Sequence, residues 1–168
     1  METNNKSAVP GNQKITPFLW FNDNAEEAVN FYASVFKEAK INGTTRYNAE
    51  SAKASGQKEG SAMTIAFNLN GQDFTAINGG PVFKFTEAVS FVVHCQNQEE
   101  VDHYWNKLTE GGQESNCGWL KDKFGLSWQI VPQQLMQLLQ DKEPGKAKRA
   151  MHAMLQMKKI DIKKLEEA

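Results

Sequence analysis

Apolar and polar positions along the chain repeat one order of secondary-structure elements. The first run predicts a strand, a helix and three further strands, in that order, at residues 15–21, 25–36, 41–47, 62–69 and 72–78. The second run predicts a strand, a helix, a short segment, a turn and a closing strand, at residues 88–94, 98–110, 113–117, 121–125 and 126–131, which complete a shorter module. Two βαβββ modules of about sixty residues each therefore indicate an internal structural duplication.

Short local signals refine this pattern. Asn70-Gly71 lies between two strand patterns and predicts a tight hairpin turn. The polar residues 48–60, which contain Gly and Ser, predict a connecting stretch. On the fifth strand, alternation predicts that Val89 and Phe91 face the core.

The residues after Pro132 predict helices at about 133–140 and 145–157 and a short terminal helix. One face of the longest helix is apolar and predicts a packing or dimer contact, with a methionine-rich ligand groove as the alternative; it comprises Ala147, Ala150, Met151, Met154 and Leu155. The predicted organisation is a flexible leader, residues 1–13, followed by one domain, residues 14–168. The domain consists of a first module at 14–80, a second module at 86–132 and a C-terminal helical segment at 133–168.

Charge and cysteine content narrow the function classes. Nineteen basic and twenty acidic residues give a net charge of -1, which disfavours a nucleic-acid partner. The longest apolar runs are too short to cross a bilayer, and we expect no membrane partner. Cys95 and Cys117 make no disulfide framework, and free thiols suit the cytoplasm.

Three stretches resemble a known family. They are ITPFLWF at residues 15–21, continuing through AEEA at 25–28 to Phe31-Tyr32; GWLKDKFGLSWQIVP at 118–132; and AMLQMKKIDI at 153–162. These are similar to PhnB-like proteins, often labelled 3-demethylubiquinone-9 3-methyltransferase domain proteins, of the glyoxalase/bleomycin resistance/dioxygenase (vicinal oxygen chelate) superfamily. The resemblance implies an α+β fold of two tandem βαβββ modules that form a cup-shaped mixed sheet, within a homodimer.

Metal-dependent relatives in that superfamily hold one divalent ion with His, Gln or Glu side chains on the first and last strand of each module. In this chain Thr16 stands near the position of one such His, and Gln129 occupies the position of a Glu. Neutral amide and hydroxyl oxygens are weak ligands without a carboxylate or imidazole beside them, so we expect neither a metal nor another cofactor. The methyltransferase label is disfavoured as well, because Gly79-Gly80-Pro81 follows a hairpin and opens no helix.

Aromatic and polar residues at the remaining cup positions predict a ligand-binding surface. Three aromatic side chains would contact a flat or hydrophobic molecule, and three polar ones would orient it: Phe18, Trp20 and Trp119, with Ser90, Ser127 and Gln129. Ordinary core or interface packing is the alternative for all six. Asp122 is expected to cap the turn before Phe124-Gly125, with a role as a base as its alternative.

Three functions stay open at this point. The first is a metal-independent protein that binds a small molecule. The second is an enzyme of the superfamily, an isomerase, lyase or dioxygenase, and the third is a dimeric scaffold without a ligand. Because one fold hosts many functions, the resemblance alone does not choose among them.

Overall fold

A computed structural model describes residues 13–168, and they form two compact units, residues 13–84 and 85–168. Each unit carries a four-stranded mixed sheet. Of the predicted leader, only Gln13 lies within the described residues. Its side-chain oxygen accepts a hydrogen bond from the Asp73 backbone N–H at 3.2 Å, and its amide donates to the Gly71 carbonyl at 2.8 Å.

The first unit contains six elements: β1 (Phe18–Phe21), α1 (Ala25–Val35), β2 (Ala39–Arg46), α2 (Ala49–Ser55), β3 (Ala62–Leu69) and β4 (Gln72–Asn78). Its strands lie in the order β1-β4-β3-β2, with β1 parallel to β4 and the other pairs antiparallel. Asn70 and Gly71 both have positive φ, 46° and 86°, which confirms the predicted hairpin between β3 and β4.

Helix α2 lies within residues 48–60, for which the sequence predicted only a polar connecting stretch. The Asn48 side chain accepts from the Ser51 backbone N–H at 2.8 Å, and the Ser51 hydroxyl accepts from the Asn48 backbone N–H at 3.0 Å. This reciprocal capping satisfies two donors at the start of the helix. Gly56, at φ 70°, ends it. The polar residues that suggested a loop are here the caps of a short helix.

Apart from α2, the second unit repeats the order of the first, and its last three strands are shorter: β5 (Ser90–Cys95), α3 (Gln98–Thr109), β6 (Gln113–Glu114), β7 (Trp119–Lys121) and β8 (Ser127–Pro132). The strands lie in the order β5-β8-β7-β6, and β5 is parallel to β8. The two βαβββ modules predicted from the sequence are therefore confirmed. Val89 is a correction: it precedes β5 and is 66% exposed, because the strand begins two residues later than predicted and buries Val93 and Cys95 instead.

Three helices complete the second unit: α4 (Gln133–Leu139), α5 (Pro144–Leu155) and α6 (Ile162–Glu166). Their core is a cluster of Val131, Leu135, Leu138, Ala150, Ile160 and Leu165, against which Met154 packs. Met151 and Leu155 are exposed, so the packing face of α5 is narrower than the predicted one. Within residues 13–168 no helix has the length and apolar content needed to cross a membrane.

Candidate functional site

The second sheet has one face packed on α3 and one face that we call the open face. Residues directly opposite each other on paired strands point to the same side of a sheet. Leu120, Trp128 and Ile130 are buried on the side of α3. The register pairs Ser90 with Ser127, Lys121 with Ser127 and Trp119 with Gln129, and these five residues define the open face. Four of the six predicted ligand-binding residues are thus neighbours on adjacent strands.

One hydrogen bond crosses the parallel strand pair on the open face. The Gln129 side-chain amide donates to the Ser90 hydroxyl at 2.9 Å. Both side chains are half-buried, so the bond fixes their orientation while part of each remains accessible.

Ser127 is the most buried polar residue of the open face. It is 1% exposed, and within residues 13–168 its hydroxyl has no hydrogen-bond partner. Folded proteins seldom leave such a group unpaired, because burying a hydroxyl without a partner costs about 1–3 kcal/mol. Ser127 is one of the residues that line a cavity of about 140 Å³; the others are Glu87, Gln113, Glu114, Ser115, Trp119, Leu120 and Lys121.

Lys121 places a positive charge at this cavity. Its ammonium group forms an ion pair with the carboxylate of Glu87, and the hydrogen bond from Lys121 lowers the pKa of Glu87. The Lys121 side chain is 32% exposed and that of Glu87 is 64% exposed. Sequence reasoning missed both residues. Lys121 had a usable signal, because it lies two positions after Trp119 and therefore on the same face of a strand.

Asp122 has the structural role predicted for it. One carboxylate oxygen accepts from the backbone N–H groups of Phe124 and Leu126, at 2.9 and 3.0 Å. The other accepts from the indole N–H of Trp128 at 2.9 Å. Because Asp122 is buried and holds the turn between β7 and β8 by these three bonds, the alternative of a catalytic base finds no support in its surroundings.

In the first unit, the Trp20 side chain contacts the chain segment that follows β4. Its indole N–H donates to the Gly80 carbonyl at 2.9 Å, and its ring meets Phe83 edge to face at 4.9 Å between centroids. A Cβ at position 79 would lie 2.2 Å from the ring, so only glycine fits there. Phe18, two residues earlier on β1, is 58% exposed.

Asn78 is the polar centre of the first unit, and sequence reasoning did not identify it as such. Its side-chain oxygen accepts from the Ala25 backbone N–H at 2.8 Å, and its amide donates to the Ala62 carbonyl at 3.0 Å. The Tyr47 hydroxyl donates to its backbone carbonyl at 2.6 Å. One buried asparagine thereby joins the start of α1, strand β3 and the residue after β2.

The donor atoms do not fit the divalent ion of metal-dependent relatives. Gln129 and Ser90 offer neutral oxygens, and Thr16 lies before β1, half-buried. The carboxylate of Glu87 is already paired with Lys121, whose positive charge opposes a second cation. Among residues 13–168 there is no cluster of three or more His, Cys, Asp or Glu side chains suited to a metal ion.

Comparison with known proteins relates the chain to one family. The sequence profile of the 3-demethylubiquinone-9 3-methyltransferase family matches residues 13–131. No curated protein matches the chain. The match ends before α4, so the resemblance carried by residues 153–162 stays a prediction.

Solved structures support the same assignment. A PhnB protein from Bacillus cereus is 39% identical over 71% of this chain and 99% of that chain, with a TM-score of 0.64. A protein from Pseudomonas aeruginosa is 19% identical over 71% of this chain and 97% of its own, at a TM-score of 0.59. The fosfomycin resistance protein FosX from Listeria monocytogenes is 16% identical over 78% of this chain and 99% of its own, with a TM-score of 0.53. The last two show a shared fold only.

Proposed function

The chain belongs to the 3-demethylubiquinone-9 3-methyltransferase family, with the PhnB-like fold of the vicinal oxygen chelate superfamily, and we propose that it binds a small organic molecule without a metal ion. The proposed site is the open face of the second unit. Trp119 supplies the aromatic surface, and Ser90, Ser127 and Gln129 supply hydrogen bonds.

The unpaired hydroxyl of Ser127 is the observation that carries this proposal. Asn78 and Asp122 are also deeply buried, and both have protein partners. Within residues 13–168 the side-chain oxygen of Gln134 is likewise buried without a partner, but Gln134 lies outside this cavity. Because Ser127 lines the cavity, its buried hydroxyl gains a partner when a polar atom of a ligand reaches it. The bond between Gln129 and Ser90 holds two further polar groups on the same face beforehand, which lowers the cost of ordering them on binding.

For Phe18 and Trp20 a ligand contact stays a prediction about the first unit by itself, separate from the open face of the second unit. Phe18 supplies an exposed ring, and the bonds of Trp20 to the chain after β4 fix the orientation of its half-buried ring. We expect Trp20→Ala to weaken ligand affinity by about 1–3 kcal/mol, the range for losing buried aromatic contact. Unchanged affinity in a folded variant would remove Trp20 from the site.

The family label does not describe the chemistry that we propose. Methyl transfer from S-adenosylmethionine typically uses an alternating α/β sheet with a glycine-rich loop that opens a helix. Here Gly79 and Gly80 follow strand β4, and the next residues form no helix. The donor set at Gln129 and Ser90 argues equally against the metal-dependent isomerase, lyase or dioxygenase reactions of the superfamily.

A native mass spectrum of freshly purified, untagged protein tests this function, with a denatured spectrum as the reference. We expect a dimer with an organic adduct that disappears on denaturation, and no stoichiometric metal. A stoichiometric divalent ion would overturn the proposal and favour the alternative of a metal-dependent enzyme of the superfamily. A bare protein that binds no member of a small-molecule library in ligand-observed NMR would favour the scaffold.

The homodimer and the cytoplasmic location are part of the same proposal. Two free thiols within the described residues, Cys95 and Cys117, suit a reducing compartment. The exposed side chains Met136, Met151 and Leu155 leave apolar surface on the second unit that a protein contact would cover. The subunit number in the native spectrum measures the first of these expectations directly.

A further inference from the structure

The cavity beside Ser127 carries a cation as well as an unpaired donor. Lys121 and Ser127 lie opposite each other on β7 and β8, so their side chains leave the sheet on the same side. Both line the cavity of about 140 Å³. An ammonium group beside a hydroxyl donor is complementary to an anionic oxygen, because charge-assisted hydrogen bonds are the stronger ones.

Glu87 indicates which anion the cavity accepts. It belongs to the segment before β5, outside any helix or strand, and its carboxylate pairs with Lys121. The Glu87 side chain is 64% exposed, and exposed ion pairs add little to stability. The Lys121 ammonium group is therefore paired with a carboxylate of the protein itself, and this ion pair is weak. Replacing the Glu87 carboxylate with that of a ligand costs little free energy.

We propose that this cavity is the subsite for the carboxylate of a small ligand, which displaces Glu87 from Lys121 and accepts a hydrogen bond from the Ser127 hydroxyl. This inference rests on the proposed function, since it specifies the chemical class of the molecule that binds the open face. Glu87 then acts as an internal competitor that keeps Lys121 paired while the ligand is absent. Trp119, also on the cavity wall, contacts the body of the ligand.

The test measures the affinity of benzoate for the full chain by isothermal titration calorimetry, with benzamide as a neutral probe of the same shape. We expect benzoate to bind at least about tenfold more tightly than benzamide, the factor for one charge-assisted hydrogen bond. Amide resonances of Ser127 and Lys121 should shift with benzoate in ¹H–¹⁵N NMR spectra. Equal affinity for benzoate and inorganic phosphate would overturn the carboxylate assignment.

Three variants separate the contributions of the subsite. Lys121→Met should weaken benzoate binding about tenfold and leave benzamide unchanged. Lys123→Met, two residues away, exposed and outside the cavity wall, makes the same change in net charge and should leave both affinities unchanged. Glu87→Gln should strengthen benzoate binding, because the internal competitor is lost; weaker or unchanged binding would contradict the displacement.

The outcomes distinguish this inference from the function on which it rests. If benzoate and benzamide bind equally and both weaken in Trp119→Ala, the open face binds small molecules but the carboxylate subsite is wrong. If neither probe binds while the native spectrum shows an adduct, the subsite is again wrong and the binding function stands. If neither binds and no adduct exists, both proposals fail.

Discussion

The two units share one topology, yet they treat their buried polar groups differently. In the first unit the amide of Asn78 bonds to two backbone groups and its carbonyl accepts from Tyr47. In the second unit Asp122 has an equivalent structural role, but the Ser127 hydroxyl has no partner among residues 13–168. The duplicated fold thus uses buried polar groups in two ways. In the first unit Asn78 binds backbone groups of its own chain, and in the second unit Ser127 is left beside a cavity.

The largest effect should come from removing the polar centre of the first unit. Asn78→Ala leaves the Ala25 N–H and the Ala62 carbonyl buried without partners, so we expect a loss of about 3 kcal/mol in the free energy of unfolding. Urea unfolding followed by circular dichroism measures it. Asn30→Ala, an exposed site on α1, is the matched control and should change stability little. Equal effects of the two variants would show that Asn78 is dispensable.

The same tryptophan substitution in each unit should separate structure from binding. Trp20→Phe removes the hydrogen bond to Gly80 and should cost about 1 kcal/mol of stability. Trp119→Phe keeps an aromatic ring on the open face and should cost less stability, while it changes benzoate affinity. Thermal unfolding and calorimetry with both variants test the contrast. If Trp119→Phe proves the more destabilising of the two, it would contradict the conclusion that Trp20 has the structural role and Trp119 the binding role.

Ser127→Ala should change stability by no more than about 0.5 kcal/mol and in the stabilising direction, because it removes a buried hydroxyl that has no hydrogen-bond partner in the described part of the chain. Ser51→Ala, which deletes a capping hydroxyl of α2, should instead cost about 0.5–1 kcal/mol. A clear loss of stability in Ser127→Ala would mean that an ordered water or an unrecognised group already satisfies the hydroxyl.

The smallest effect concerns the reactivity of Cys95, which reports whether the second unit stays folded in the Ser127→Ala variant. The thiol is fully buried, and this burial raises its pKa to about 12. Because the raised pKa keeps the thiol protonated at pH 8, and only the thiolate reacts, we expect no alkylation in the native protein or in Ser127→Ala. Mass spectrometry after iodoacetamide treatment, with and without urea, measures it. Native labelling of Cys95 would show that the unit opens.

The sequence predicted the parts of the fold that depend on local pattern. Strands β3 and β4 and the turn at Asn70-Gly71 are where alternation and turn chemistry put them. Helix α2 was missed because its caps, Asn48 and Ser51, are also common loop residues. Val89 was assigned to the core because a period of two does not show where a strand begins.

The candidate site was predictable only in part, for a physical reason. Alternation places Ser127 and Gln129 on one face of a strand, and that much is local. The lack of a partner for Ser127 depends on strands distant in sequence, and the pair of Glu87 with Lys121 joins residues from a loop and a strand. Contacts of this kind follow from tertiary packing, about which a hydrophobic pattern says nothing.

The attachment of the C-terminal segment has a consequence for how the chain matures during synthesis. The N–H groups of Cys117 and Gly118 donate to the carbonyls of Met157 and Lys158, both at 2.7 Å, and Ile160 and Leu165 complete the cluster at Val131. All strands of the first sheet are available once residue 78 has left the ribosome, whereas the second unit must wait for residue 165. A nascent chain halted between these points holds every strand of the first sheet but lacks Ile160 and Leu165, so the apolar cluster at Val131 is still incomplete.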